Sequence, residues 1–302
     1  MIVRESPRPW ELFFIMQGSI VPVIWRQVAA VVIIAGVITF TDLAGWLRLQ
    51  AISPLGFSLI GIALSIFSGF RNSASYERWW EARKILGQHI VEMRCLTREV
   101  VAFVGLKRGQ RLAYLMLVFA TAFKSHLRKE GLSEDCLAYA AKAGLSLQGK
   151  LHNRADYVVT AMGVELANLS KHKDISPQII QVMEERLVSI SGVLAAAERI
   201  KLTPLPFAYS LLLQRTAYMF CFLLPFGLVE SAGAWTPILA GIVAYTFFGL
   251  DALGDQLAAP FGTTPNSLPL NTITRVIEVG ILEGMGEKHL PPMPDVVGYV
   301  MN

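Results

Sequence analysis

Charge is scarce in this sequence. Asp, Glu, Lys and Arg supply 17% of its 302 residues while hydrophobic residues supply 53%, and mean hydropathy is +0.47. A water-soluble domain carries about 25% charged residues, so the balance excludes that class and marks a membrane protein. Cysteine is sparse too: Cys95, Cys136 and Cys221 are odd in number and far apart in apolar surroundings, as small buried hydrophobes are. The histidines, His89, His126, His152, His172 and His289, show no i,i+4 pairing and no cluster with Cys or Asp. No zinc or iron site is indicated. Phosphate loops, nucleophile elbows and dinucleotide fingerprints are missing, so nothing argues for an enzyme or a bound cofactor. The stretch from Met1 to Glu11 carries Arg4, Glu5, Arg8 and Glu11 where a signal peptide needs an apolar core and a small-residue cleavage site. The first apolar run is therefore expected to be retained.

What the sequence does have is apolar length. Runs able to enter a bilayer occupy Val23 to Phe40, Leu55 to Phe70, Leu205 to Val229 and Trp235 to Leu253. Four crossings would put both ends on one side. The second run covers about 24 Å at 1.5 Å per residue, short of a hydrocarbon layer of about 30 Å, so its helix should continue through the polar band. The third carries Gln214, Arg215 and Pro225, and a break near Pro225 is expected. Residues 71–204 hold twenty of the twenty-seven Lys and Arg against thirteen acids, whereas the short loops Thr41 to Ser53 and Glu230 to Ala234 contain Arg48 alone among basic residues. The positive-inside rule places residues 71–204 and both termini in the cytoplasm of a multi-pass membrane protein. The net charge of +4 reads as membrane orientation rather than nucleic-acid binding. The expected organisation is 1–70 with two membrane helices, 71–204 as a helical cytoplasmic domain, 205–254 with two more membrane helices, and 255–302 as a cytoplasmic segment.

Leu112 to Phe123 is a tempting fifth span, but twelve residues between Arg111 and Lys124 are too few, so a buried core helix is expected. Helical periodicity also runs over Ile85 to Val104, Glu134 to Leu147, Arg154 to Lys171 and Pro177 to Ile200, with strands nearly absent. Four hydroxyl-proline pairs, Ser53-Pro54, Ser176-Pro177, Thr203-Pro204 and Thr236-Pro237, are expected to mark helix starts. The hydroxyl caps free N–H groups, and proline at the first helical position loses no bond. From Pro54 no Gly-Pro break occurs before Val104, which predicts one rod of about fifty residues, roughly 75 Å.

Two stripes run along this rod. Gly61, Ser65 and Gly69 repeat every four residues, and Ile62, Ile66 and Phe70 do the same beside them. Small residues at that spacing let helices approach closely. The bulky stripe then reads either as ordinary packing or, with several copies around an axis, as apolar rings that constrict a pore, and periodicity does not choose.

The segment "FSGFRNSASYERWWEAR", Phe67 to Arg83, adds Arg71, Asn72, Tyr76, Arg78, Trp79, Trp80, Glu81 and Arg83 in fixed register at the end of the apolar run. It resembles the bestrophin family of ion channels, in its bacterial branch. "TPLPFAYSLL" (Thr203 to Leu212) and "GLDALGDQLAAPFGTTPNSLPLN" (Gly249 to Asn271) are similar to the family's corresponding segments. The resemblance implies an all-α membrane protein, a homopentamer around a central pore, with four transmembrane helices per subunit and a large helical cytoplasmic domain. By position it implies a neck lined by Ile62, Ile66 and Phe70 and a cytoplasmic constriction at Ile180. Taken by itself, an Ile in the first turn of an amphipathic helix is as readily core. Tyr76, Trp79, Trp80 and Arg83 share one face where rings and Arg heads favour the membrane interface. Asn72, Glu77, Arg78 and Glu81 read as inter-helix polar contacts at the neck exit.

The sequence departs from animal bestrophins at one place. Their "PFG" turn is followed by acids that clasp calcium, whereas here Pro260-Phe261-Gly262 is followed by Thr263, Thr264, Pro265, Asn266 and Ser267, with no carboxylate before Glu278. A calcium clasp and calcium gating are not expected. Rings of Ile and Phe carry no charge and cannot choose an ion sign, which falls to helix ends and charges near the mouths. The resemblance to bacterial members implies small monovalent cations such as sodium, with a chloride-selective channel of the same fold as the alternative. The expected partners are further copies of the chain, membrane lipid and the permeant ions. A membrane-anchored helical scaffold or sensor is the competing class. Lipid enzymology would need convergent acids, and the pair Asp251 and Asp255 reads as a helix-end or loop contact. Secondary transport would need a repeat that the two halves do not show.

Overall fold

The structure, a computed structural model, describes residues 1–4, 8, 10–11, 14–46, 54–173 and 175–301. Arg48 and Ser53 lie outside the described residues, as does most of the loop expected before Pro54. Among the described residues nine α-helices account for the fold: α1 (Val21–Leu43), α2 (Pro54–Glu99), α3 (Leu106–Arg128), α4 (Glu134–Lys142), α5 (Arg154–Leu169), α6 (Pro177–Leu202), α7 (Phe207–Ala232), α8 (Thr236–Ala258) and α9 (Leu270–Gly284). The chain divides into two compact units, one formed by 2–79 with 204–260 and the other by Met1, 80–203 and 261–302.

In the first unit α1, α7 and α8 pack pairwise. Their core joins Ile24, Val31 and Ala35 to Ala217, Phe220 and Leu224, to Ala240, Ala244 and Phe248, and to Leu64 of α2. Alanine recurs there because apolar helices in lipid gain stability from close backbone approach rather than from leaving water. Glycine extends the logic: a Cβ on Gly227 would lie 2.4 Å from the Phe57 ring, and one on Gly61 3.1 Å from Phe220 Cζ. The small stripe thus brings α2 against α7 at Gly61, while Gly69 faces open space. Among the described residues, Val21–Leu43, Leu55–Val104 and Phe207–Ala258 are the stretches long and apolar enough to cross a membrane. The last contains α7 and α8, joined by a 3-10 turn at Gly233–Trp235. Gly233 has φ 51°, a conformation that costs residues with a Cβ, and α8 packs back on α7 after it.

In the second unit α3 is the axis, touched by α4, α5, α6 and α9. Every residue from Leu112 to Phe123 is buried, so this apolar stretch is the core helix its length predicts. His89 of α2 stands edge-on to Phe119 and Phe123 at 5.5 and 5.2 Å between ring centres. α2 runs on as one helix to Glu99 and ends in a π turn, Val100–Val104, stopped by Gly105 at φ 84°.

Four local expectations need correction. α7 is continuous through Pro225, which is buried inside it, because packed neighbours support a helix that has lost one N–H donor. Thr203 closes α6 and α7 begins at Phe207, so the Thr203-Pro204 pair marks a helix end. Thr236 is the first residue of α8 rather than its cap, which is Trp235. α4 stops at Lys142, since Gly144 at φ 61° turns the chain before Leu147. Ser176-Pro177 behaves as expected: the Ser176 hydroxyl accepts from the Gln178 N–H at 3.3 Å.

Candidate functional site

α2 presents two faces as it leaves its apolar half. Ile62, Ile66 and Phe70 are 59%, 52% and 63% exposed on the single chain, while Leu64, Arg71 and Ser75 are buried. The arrangement follows from the 3.6-residue turn: Leu64, Arg71 and Ser75 fall on one side, and the i,i+4 series from Ile62 falls on another. Beside the series lies an apolar groove of about 730 Å³, bounded by Gly61, Ile62, Ser65 and Ile66 of α2, with α7 and α8 across it.

Directly after Phe70, Arg71 is 3% exposed and holds two carboxylates of α8, Asp251 at 2.5 Å and Asp255. Asp255 also accepts from the Gln214 amide of α7 at 3.1 Å. A guanidinium in an apolar setting is sustained only by such pairing, and its fork matches acceptors on successive turns of one helix. Asn72 lies against Gly254, where a Cβ would approach its Oδ1 to 2.4 Å, so glycine is needed for the contact. Arg78 Nε donates to the Ala258 carbonyl at 2.7 Å, placing a cation at the negative end of α8. The exit of α2 is thus fixed to α8 through Arg71, Asn72 and Arg78 within one unit.

The aromatic band divides. Tyr76 and Trp79 stack with ring centres 6.2 Å apart, whereas Tyr76 and Trp80 remain about half exposed. Arg83 is half-buried near Gly87. Glu81 pairs with Arg199 of α6. Glu77 is exposed and makes no polar contact among the described residues. Ile180 sits in the first turn of α6, half-buried, its N–H bonded to the Ser176 carbonyl at 3.3 Å.

Asp251 and Asp255 do make a contact near the end of α8, as the sequence suggests, but their partners Arg71 and Gln214 were not legible from it. The signal was present as an arginine placed just past an apolar run and an i,i+4 aspartate pair at the end of another, but nothing in one dimension joins them. After Phe261, the Thr264 and Ser267 hydroxyls lie 2.8 Å apart. The next carboxylate, Glu278, is 2% exposed and already engaged by Tyr139 and Arg275. That donor set does not fit a hard cation, which needs several oxygens with charge among them.

The long half-apolar helix, its companions α1, α7 and α8, and the fixed exit define an all-helical membrane protein. Residues 1–283 match the family model described as bacterial/fungal bestrophin protein. The chain belongs to the bestrophin family of ion channels. It is 42% identical over 293 residues to a voltage-dependent anion channel-forming protein of Mesorhizobium japonicum, covering 95% of this chain and 93% of that one. It is 39% identical over 242 residues to the voltage-dependent anion channel-forming protein YneE of Escherichia coli, covering 79% and 80%. The solved bacterial bestrophin homologue of Klebsiella pneumoniae superposes with TM-score 0.80 at 32% identity, over 88% of this chain and all of that one.

Proposed function

We propose that five copies of this chain, the number implied by its family resemblance, surround an axis lined by α2, with both termini and the α3–α6 bundle cytoplasmic and four crossings per subunit in a bacterial inner membrane. Ile62, Ile66 and Phe70 then form three stacked apolar rings, and Ile180 a second constriction. The exposure of this bulky stripe, shared by Leu59, Ile60 and Phe67, on the helix whose other face buries Leu64 and Arg71, carries the reading. The adjacent apolar groove of about 730 Å³ supports it, since a neighbour's α2 would fill it. Apolar rings oppose ion passage by excluding water, so widening them should raise flux. Flux through vesicles carrying purified Ile66→Ala tests this: an increase of several-fold is expected, and unchanged flux favours the scaffold or sensor reading.

For ion sign, the names of the curated relatives support the anion alternative better than the cation reading drawn from the bacterial resemblance. We therefore read the channel as passing small anions. One observation favours cations: Arg71, the basic residue next to the neck, is engaged by Asp251 and Asp255, so this three-group cluster offers a permeant anion no net positive charge. Reversal potentials in asymmetric salt decide between them. A potential that follows the chloride gradient fits the anion reading, and one that follows the cation gradient replaces it.

A further inference from the structure

In the unit built on α3, a polar cavity of about 440 Å³ opens between α3, α4, α9 and the segment Pro292–Asp295. Part of its charge is internally satisfied. Arg275 lies 2.7 Å from Glu278 and 3.6 Å from Asp135, and Glu278 also accepts the Tyr139 hydroxyl at 2.5 Å. Two other charged wall groups are not: neither Lys124 nor Asp295 makes a hydrogen bond or ion pair with another described residue. One cation and one anion thus face the same cavity, alongside Thr274 and Met293, without a hydrogen-bonded or ion-paired contact, although Lys124 lies near enough to Glu278 to favour its ionised form.

We propose that this cavity binds a small free amino acid as its zwitterion, with the carboxylate held by Lys124, the ammonium by Asp295 and the side chain along Met293. A singly charged ligand would satisfy one of the two groups and leave the other facing a like charge. A multiply charged anion would meet Asp135, Glu278 and Asp295 against only Lys124 and Arg275. The volume lies within the roughly 300–1,000 Å³ of small-molecule sites, in which a few convergent polar groups set orientation. Charge-assisted contacts of this kind are about twice as strong as neutral ones, so each end of the ligand contributes to both affinity and selectivity. The proposal is independent of the pore reading, because binding can be measured without flux.

The test is calorimetric titration of the purified full chain in detergent with glycine, alanine, glutamine, glutamate and lysine, and with acetate and ethylamine as single-charge probes. We expect saturable binding of at least one uncharged-side-chain amino acid, with acetate and ethylamine roughly tenfold weaker or worse, the loss of one charged contact. Lys124→Met and Asp295→Asn should each weaken that amino acid by a similar factor. Asp295 is exposed, so its variant leaves folding intact. Absence of binding by every amino acid, equal binding of acetate or ethylamine, or Asp295→Asn binding as wild type would overturn the proposal.

Discussion

Replacing Arg71 with methionine is the sharpest perturbation of the point where α2 leaves its apolar half. Arg71 is 3% exposed, and the Asp251 and Asp255 side chains are 19% and 53% exposed. Methionine fills similar space but leaves both carboxylates with only the Gln214 amide as a polar partner. Breaking a buried ion pair by removing one member costs about 3–5 kcal/mol. Asp255 is half exposed and can regain water, so the lower end, about 3 kcal/mol, applies. At roughly 2 °C per kcal/mol for a chain of this length, the melting temperature of the detergent-purified protein should fall by about 6 °C. Adding Asp251→Leu removes the stranded charge, and replacing a whole buried pair by apolar groups is often close to neutral. The double variant should therefore melt within about 2 °C of wild type, corresponding to about 1 kcal/mol. Arg71→Met melting as wild type, or the double variant melting no higher than Arg71→Met, would refute the claim that pairing with α8 sustains this arginine.

Further outcomes follow from other contacts. Gly254→Ala places a Cβ 2.4 Å from Asn72 Oδ1 and should lower stability by about 1–3 kcal/mol, visible as a drop in melting temperature. Ser176→Ala removes the cap of α6 and should cost about 1 kcal/mol, with faster amide exchange in the first turn that carries Ile180. Burial pushes the Glu278 carboxyl above its ordinary value, although the Tyr139 hydrogen bond and Arg275 oppose the shift. A raised acid binds more protons folded than unfolded, so its contribution to stability grows as pH falls toward the unfolded value and is lost as pH rises through the folded one. The melting difference between wild type and Glu278→Gln should thus move in favour of wild type as pH falls from neutral to the unfolded carboxylate value of about 4.3, and an invariant difference would contradict it.

Much of the fold follows directly from the order of residues. The uninterrupted run from Pro54 to Glu99 forms one helix because no residue in it breaks a hydrogen-bond ladder, and Gly105 ends the π turn that follows. Leu112 to Phe123 lies in a buried helix because it is too short for a bilayer and too apolar for water. The stripe of Ile62, Ile66 and Phe70 is a matter of period alone. Helix ends were less legible. Pro225 does not break α7, and Thr203-Pro204 ends one helix rather than starting another. Local preferences there are worth one to three kcal/mol, which packing can override.

The sequence by itself determined the apolar lengths, the charge asymmetry and the spacing of the stripe, because each depends only on neighbours along the chain. Tertiary structure alone decided that Arg71 meets Asp251 and Asp255, positions 180 and 184 residues away, and that Lys124 and Asp295 face one cavity. Charge pairing depends on distance in space, and that distance exists only once the helices have packed.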